Sequence, residues 1–117
     1  MAANDFFQAS IVDDNILVVV LRGNLDSTTT EDFNNEIHQH LEMGHSKIII
    51  DCRNVGFVSS VGVGSLVALQ TRLRKKGGVV KLAAVQGMTA EIIKMVGLDR
   101  LLEIYGDLEF ARRSFKE

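Results

Sequence analysis

Apolar and polar positions along the chain alternate between two rhythms, a strand-like one and a helix-like one. Phe6 to Val12 has strand character, Asp13-Asp14-Asn15 is a turn cluster, and Ile16 to Leu21 is an unbroken apolar run bounded by Gly23. Two strands around so short a turn predict an antiparallel hairpin. Asp26 to Thr30 supplies helix-capping residues, and Phe33, Ile37 and Leu41 follow at i, i+4, i+8 until Gly44. Lys47 to Asp51 carries Ile48-Ile49-Ile50, too short for a helix and all β-branched, which predicts a buried strand. Cys52 to Ser59 reads as a loop. From Ser60, apolar Val63, Leu66, Val67, Leu69 and Leu73 predict a second helix that ends in Arg72, Arg74, Lys75 and Lys76 before Gly77-Gly78. Val79 to Val85 is a further strand, and Thr89 is placed to cap a short helix carrying Ile92, Ile93 and Val96. Leu101 to Tyr105 is a last strand, and Asp107 begins a terminal helix with Leu108, Ala111 and Phe115.

The order is therefore ββαβαβαβα. An α/β fold follows, with a mixed sheet of about five strands and about four helices: an N-terminal antiparallel hairpin, then largely parallel strands. No linker, charge block or repeat divides residues 1–117, which are expected to form a single domain.

Composition narrows the function more than the fold. Thirteen Lys and Arg against fifteen Asp and Glu give a net charge of −2, which offers no broad attraction for nucleic acid or an anionic membrane. No apolar run is long enough to span a bilayer, and the N-terminus has no secretory-signal pattern, so a cytoplasmic location without membrane insertion is expected. The single cysteine, Cys52, excludes an internal disulfide framework and any multi-cysteine metal site. It sits directly after a strand, and a small buried residue is the simpler reading there than a nucleophile.

Other chemistries fail on spacing. His38 and His40 lie two apart on a helix and face different sides, so they are read as solvated histidines and no metal or other cofactor is expected. Gly62-x-Gly64 lacks the third glycine of a dinucleotide turn, since Val67 stands there, and neither a phosphate-cradling P-loop nor a Gly-x-Ser-x-Gly elbow occurs. Catalysis by this chain is not expected. The basic cluster from Arg72 to Lys76 is explained as cations at a helix C-terminus.

The informative stretch is Asp51-Cys-Arg-Asn-Val-Gly-Phe-Val-Ser-Ser-Val-Gly-Val-Gly-Ser-Leu66. A buried strand leads through a loop to two serines, and a helix starts beside two glycines. Ser60 is at or near the N-cap, where a hydroxyl is worth about 1 kcal/mol. Gly62 and Gly64 each weaken a helix by roughly 0.8–1 kcal/mol relative to alanine, so helix stability alone does not explain them. They leave a low surface around the serine that another protein can approach closely. A phosphate on Ser60 would meet free N–H groups at the positive end of the helix dipole.

On these residues the chain resembles the STAS domain, specifically the anti-sigma factor antagonists of bacteria. Phe57-Val58-Ser59-Ser60-Val61-Gly62-Val63-Gly64 is similar to the family's phosphoacceptor segment, and Gly23-Asn24-Leu25-Asp26 to its Gly-x-Leu-Asp before the first helix. Ser59 stands where the family has an acid, and Val61 where it has serine or threonine. The resemblance implies a binding switch. Unphosphorylated, the surface of Ser59, Ser60, Val61, Gly62, Val63 and Gly64, with Asp26 alongside, docks on an anti-sigma factor that is also a serine kinase, and the sigma factor is released. Phosphorylation at Ser60, or at Ser59 as the alternative acceptor, reverses this, and a separate serine phosphatase resets it.

Two other readings remain open from sequence. One keeps the fold and makes the domain a constitutive STAS scaffold of a transporter or signalling complex. The other rests on Ile11-Val12-Asp13-Asp14-Asn15 and Ile48-Ile49-Ile50-Asp51, which resemble the acidic pair and phosphoacceptor of a response-regulator receiver domain. The strong strand signal directly after the acidic pair, and the absence of proline, tell against it.

Overall fold

A computed structural model describes residues 5–116. The chain folds as β1 (Phe7–Val12), β2 (Ile16–Arg22), α1 (Thr30–Glu42), β3 (Lys47–Asn54), α2 (Ser60–Lys75), β4 (Val79–Ala83), α3 (Gly87–Met95), a short 3-10 turn (Leu98–Arg100), β5 (Glu103–Tyr105) and α4 (Leu108–Ser114). The strands form one sheet in the order β1-β2-β3-β4-β5, with β1 antiparallel to β2 and every later neighbour parallel. The expected ββαβαβαβα order and mixed sheet are both present.

The hairpin follows from its turn chemistry. Asp13 and Asp14 both take positive φ, 48° and 75°, a region that short polar side chains tolerate better than other non-glycine residues. The turn puts Val12 opposite Ile16 and aligns Phe7 with Leu21. It also disposes of the receiver reading. Ile16 pairs with Lys47 and Val20 with Asp51, so the Asp13-Asp14 turn lies at the end of the sheet opposite to Asp51. No acidic pocket forms between them. Asp13 instead accepts two hydrogen bonds from the Arg112 guanidinium, at 3.1 Å each, which fasten α4 to the hairpin turn.

Alternation along each strand sends side chains to two faces. Leu17, Val19 and Leu21 of β2, Ile48 and Ile50 of β3, and Val80 and Leu82 of β4 face one side. There they pack with Phe33, Ile37 and Leu41 of α1, Leu66, Leu69 and Leu73 of α2, and Ile93 of α3. Ile16, Val18, Ile49 and Ala83 face the other side and are covered with Ala111 of α4. With both faces covered, the central strands read as continuous apolar runs, as buried parallel strands do.

Several boundaries move. β3 runs on to Asn54 instead of stopping at Asp51, because Asn54 pairs with Arg22 beyond an irregularity in β2 and Cys52 turns into the core. β4 ends at Ala83 instead of Val85, where Ala84 takes a positive φ of 59°. β5 begins only at Glu103, because Leu98–Arg100 coil into the 3-10 turn. Asp107 caps α4 as expected, accepting the Phe110 N–H at 2.9 Å. Thr89 does not cap α3: that helix starts at Gly87, and Thr89 is buried inside it.

Candidate functional site

The site grows from the carboxyl end of β3, where open α/β sheets characteristically place their binding residues. After Asn54 the chain crosses in the segment 55–59 and enters α2. Val55 and Val58 point inward and are buried, which leaves Phe57 half exposed between them, at 39%. The 24–26 segment lies alongside. Leu25 bridges to Val58, its N–H donates to the Phe57 carbonyl at 3.0 Å, and its own carbonyl accepts the Ser59 N–H at 2.9 Å. Those two backbone bonds set the phase at which the helix begins.

The phase assigns the two serines different work. Ser59, not Ser60, is the N-cap: its φ and ψ are −76° and 172°, and its hydroxyl accepts the Gly62 N–H at 3.2 Å. Ser60 is the first helical residue and is exposed, and its hydroxyl makes no hydrogen bond among the described residues. The capping role expected for Ser60 therefore belongs to its neighbour, and the Ser60 hydroxyl is left for other chemistry.

The two glycines also divide. Gly62 is buried, and a Cβ there would sit 2.5 Å from the Leu25 carbonyl oxygen and 2.8 Å from Val58 Cγ1. Its missing side chain lets α2 cross the Leu25 segment, so its low profile faces inward instead of toward a partner. At Gly64 a Cβ would meet nothing within 4 Å, and this glycine does leave the outer surface low. Val61 is 52% exposed, whereas Val63 is partly buried and packs against the core. The outward surface is thus Phe57, Ser60, Val61 and Gly64. Phe57 is an addition that only its exposure reveals, since its sequence neighbours Val55 and Val58 are both core.

Asp26 follows Leu25 in the segment that runs alongside. It is half-buried, and its Oδ1 accepts the Thr28 N–H at 2.9 Å and the Thr28 hydroxyl at 2.7 Å. These bonds, the Thr28 hydroxyl first, hold its carboxyl below the usual carboxylate range, so it is anionic at neutral pH. The first turn of α2 itself carries no acidic residue, while Arg72, Arg74 and Lys75 sit in its last turn. Its C-terminus is thus complemented by charge and its N-terminus is not.

The remaining candidates fall away. Cys52 is buried, and burial, reinforced by the neighbouring Asp51 carboxylate, pushes its thiol up to about 12. It is inert. Asp51 is buried in β3 with one oxygen accepting the Arg53 N–H at 3.0 Å. His38 is exposed and pairs with Glu42 at 3.2 Å. His40 is not the solvated residue expected: its ring stacks on Phe7 with centroids 6.0 Å apart and lies 5.7 Å from His45. Burial lowers its pKa. Among the described residues no group of three or more His, Cys, Asp or Glu is placed to hold a metal ion, and no helix is long and apolar enough to cross a membrane.

The fold has relatives among known proteins. A family model described as STAS domain matches residues 9–111. The anti-sigma F factor antagonist of Paenibacillus polymyxa is 24% identical over 77% of this chain and 78% of its own. Among solved structures, an anti-sigma factor antagonist from Mycobacterium paratuberculosis superposes with a TM-score of 0.83 at 26% identity, covering 100% of both chains. The Bacillus cell fate determinant SpoIIAA in its phosphorylated form gives a TM-score of 0.72 at 23% identity over 92% of this chain and 98% of that one. The murine anion transporter Slc26a9 gives 0.71 at 16% identity, over 92% of this chain but only 22% of the transporter.

Proposed function

Because the chain belongs to the STAS domain family, we propose that it is an anti-sigma factor antagonist whose partner binding is reversed by phosphorylation of Ser60. The observation that carries the reading is the division of labour at the start of α2. Ser59 caps the helix, and Ser60 is exposed with its hydroxyl uncommitted among the described residues. The acceptor can therefore be modified without breaking the cap that supports it, and Ser59, the alternative acceptor, cannot.

In the unphosphorylated state the outward surface of Phe57, Ser60, Val61 and Gly64, bordered by Asp26, docks on an anti-sigma factor with serine kinase activity. Docking occupies that factor and the sigma factor is released. The kinase supplies ATP and the catalytic groups. This chain contributes the nucleophilic hydroxyl, whose oxygen bonds to the γ-phosphorus as ADP leaves and whose proton passes to a base of the kinase. A serine phosphatase restores the hydroxyl.

A phosphate at Ser60 brings about −1.5 to −2 charges to a surface that is otherwise apolar at Val61 and Phe57. It gains from the uncomplemented positive end of α2, which favours the free phosphorylated protein. In the complex the same charge has to be desolvated beside an anionic Asp26. A loss of about 2.7 kcal/mol already weakens binding a hundredfold. A soluble, cytoplasmic protein without catalytic activity or cofactor of its own is consistent with this role.

Incubation with a cognate serine kinase and ATP, followed by phosphosite mapping, tests the proposal. Label is expected on Ser60, absent in Ser60→Ala, and Ser60→Asp is expected to bind the kinase far more weakly than the unmodified chain. Absence of label from both serines, with unchanged binding of Ser60→Asp, rules it out. One observation favours a second reading, a constitutive scaffold: the same fold occurs as a part of the anion transporter Slc26a9. Co-purification with a membrane or signalling complex that is indifferent to Ser60→Ala would select it.

A further inference from the structure

The segment that presents Ser60 is held from two sides, and the two sides differ in kind. Toward Leu25 the bonds are backbone to backbone and survive any side-chain change. Toward α3 they depend on side chains. The Val58 N–H donates to the Thr89 hydroxyl at 3.1 Å, across 31 residues of sequence, and Thr89 is only 4% exposed. From the same region the Gln86 amide donates to the Arg53 carbonyl at 2.8 Å, at the exit of β3. Val58 is itself buried, so its amide has no water to turn to if the hydroxyl is removed.

We propose that Thr89 is a positioning residue whose hydroxyl fixes the Val58 backbone, and with it the start of α2 at which Ser59 caps and Ser60 is presented. The chain of contacts is short. Thr89 holds the Val58 amide, the next residue is the cap, and the cap hydroxyl holds the Gly62 amide at 3.2 Å. A shift of α3 relative to the sheet is thereby transmitted to the acceptor, and α3 becomes an element through which presentation of Ser60 is tuned. The kinetic half of this inference rests on the Ser60 reading above, while the structural half does not.

Three variants of the full chain test it. Thr89→Val keeps the shape and removes the acceptor, and Thr89→Ser keeps the acceptor. Ile93→Val deletes one buried methyl group from the same helix without touching the hydroxyl. Amide hydrogen exchange by NMR is read at Val58, Ser59 and Gly62 relative to the β3 amides of Ile48 to Ile50. In Thr89→Val the three amides are expected to exchange roughly ten- to a hundredfold faster relative to β3. Thr89→Ser is expected to restore protection, and Ile93→Val to leave the ratio unchanged. With a serine kinase, Thr89→Val is expected to raise the KM for phosphorylation of Ser60 by about fivefold with little change in kcat, and Thr89→Ser to rescue it. Unchanged relative exchange in Thr89→Val, or equal loosening in Ile93→Val, overturns the inference, as does an unchanged KM when the wild-type chain is a substrate. A wild-type chain that takes no phosphate counts against the proposed function alone, and the exchange ratio then decides the positioning role by itself.

Discussion

Replacing each glycine at the start of α2 with alanine separates packing from helix propensity, because the two positions differ only in what surrounds them. On an isolated helix, either substitution is worth about 0.8–1 kcal/mol of stabilisation. At Gly64 nothing lies within 4 Å of the new methyl group, so most of that gain is expected to be realised. At Gly62 the methyl group would lie 2.5 Å from the Leu25 carbonyl oxygen and 2.8 Å from Val58 Cγ1. The first of these is backbone, held in place by the Ser59 N–H, and has no rotamer by which to retreat. Forcing the helix away costs roughly 2–3 kcal/mol, as overpacking does elsewhere. Gly62→Ala is therefore expected to be net destabilised by about 1–2 kcal/mol and Gly64→Ala stabilised by about 0.5–1 kcal/mol. Urea denaturation at 25 °C, followed by far-UV circular dichroism, resolves a difference of that size, and the thermal midpoints should separate by roughly 6–12 °C. If the two variants prove equally stable, α2 does not cross Leu25 as described, and the account of Gly62 is wrong.

Ser59→Ala is expected to lose about 1 kcal/mol as its cap bond disappears, while Ser60→Ala stays within about 0.5 kcal/mol of the parent; equal losses in urea titrations would contradict the cap assignment. Cys52, with its thiol raised to about 12, should resist a thiol-specific reagent at pH 8 in the folded protein and react promptly in denaturant. The Arg112 guanidinium holds the Asp13 carboxyl below its ordinary value of 3.8, so the unfolded chain takes up this proton first as pH falls. The stability that Asp13 contributes is thus fully present above about pH 4 and lost progressively below it. Urea midpoints measured from pH 6 to pH 2 should fall less steeply for Asp13→Asn than for the parent, and identical slopes would show that the pair is not formed.

What the sequence determined by itself is what short-range periodicity encodes. The β-branched runs Ile16 to Leu21 and Ile48 to Ile50, and the i, i+4, i+8 stripe of Phe33, Ile37 and Leu41, specify strands and a helix wherever they sit, because burial of one face needs no particular partner. The Asp107 cap and the Asp13-Asp14 turn are equally local. The Asp107 carboxylate accepts an amide three residues on, and the Asp13 carbonyl accepts the Asn15 N–H within the turn itself. That the Phe57 to Gly64 segment is a loop entering a helix at Ser60 was likewise legible.

Only the tertiary structure decided how that segment works. β3 reaches Asn54 because Arg22 pairs with it, and no rhythm in Cys52-Arg53-Asn54 announces this. The choice of Ser59 over Ser60 as cap cannot be read from two adjacent serines, since it depends on the Leu25 carbonyl catching one amide and not the next. Gly62 and Gly64 look alike in sequence and differ because Leu25 passes under one of them. Thr89 has the residue type and place of a helix cap, yet its hydroxyl serves an amide 31 positions earlier. In each case a backbone group distant in sequence competes for the same hydrogen bond or the same space, and only the folded chain brings the competitors together.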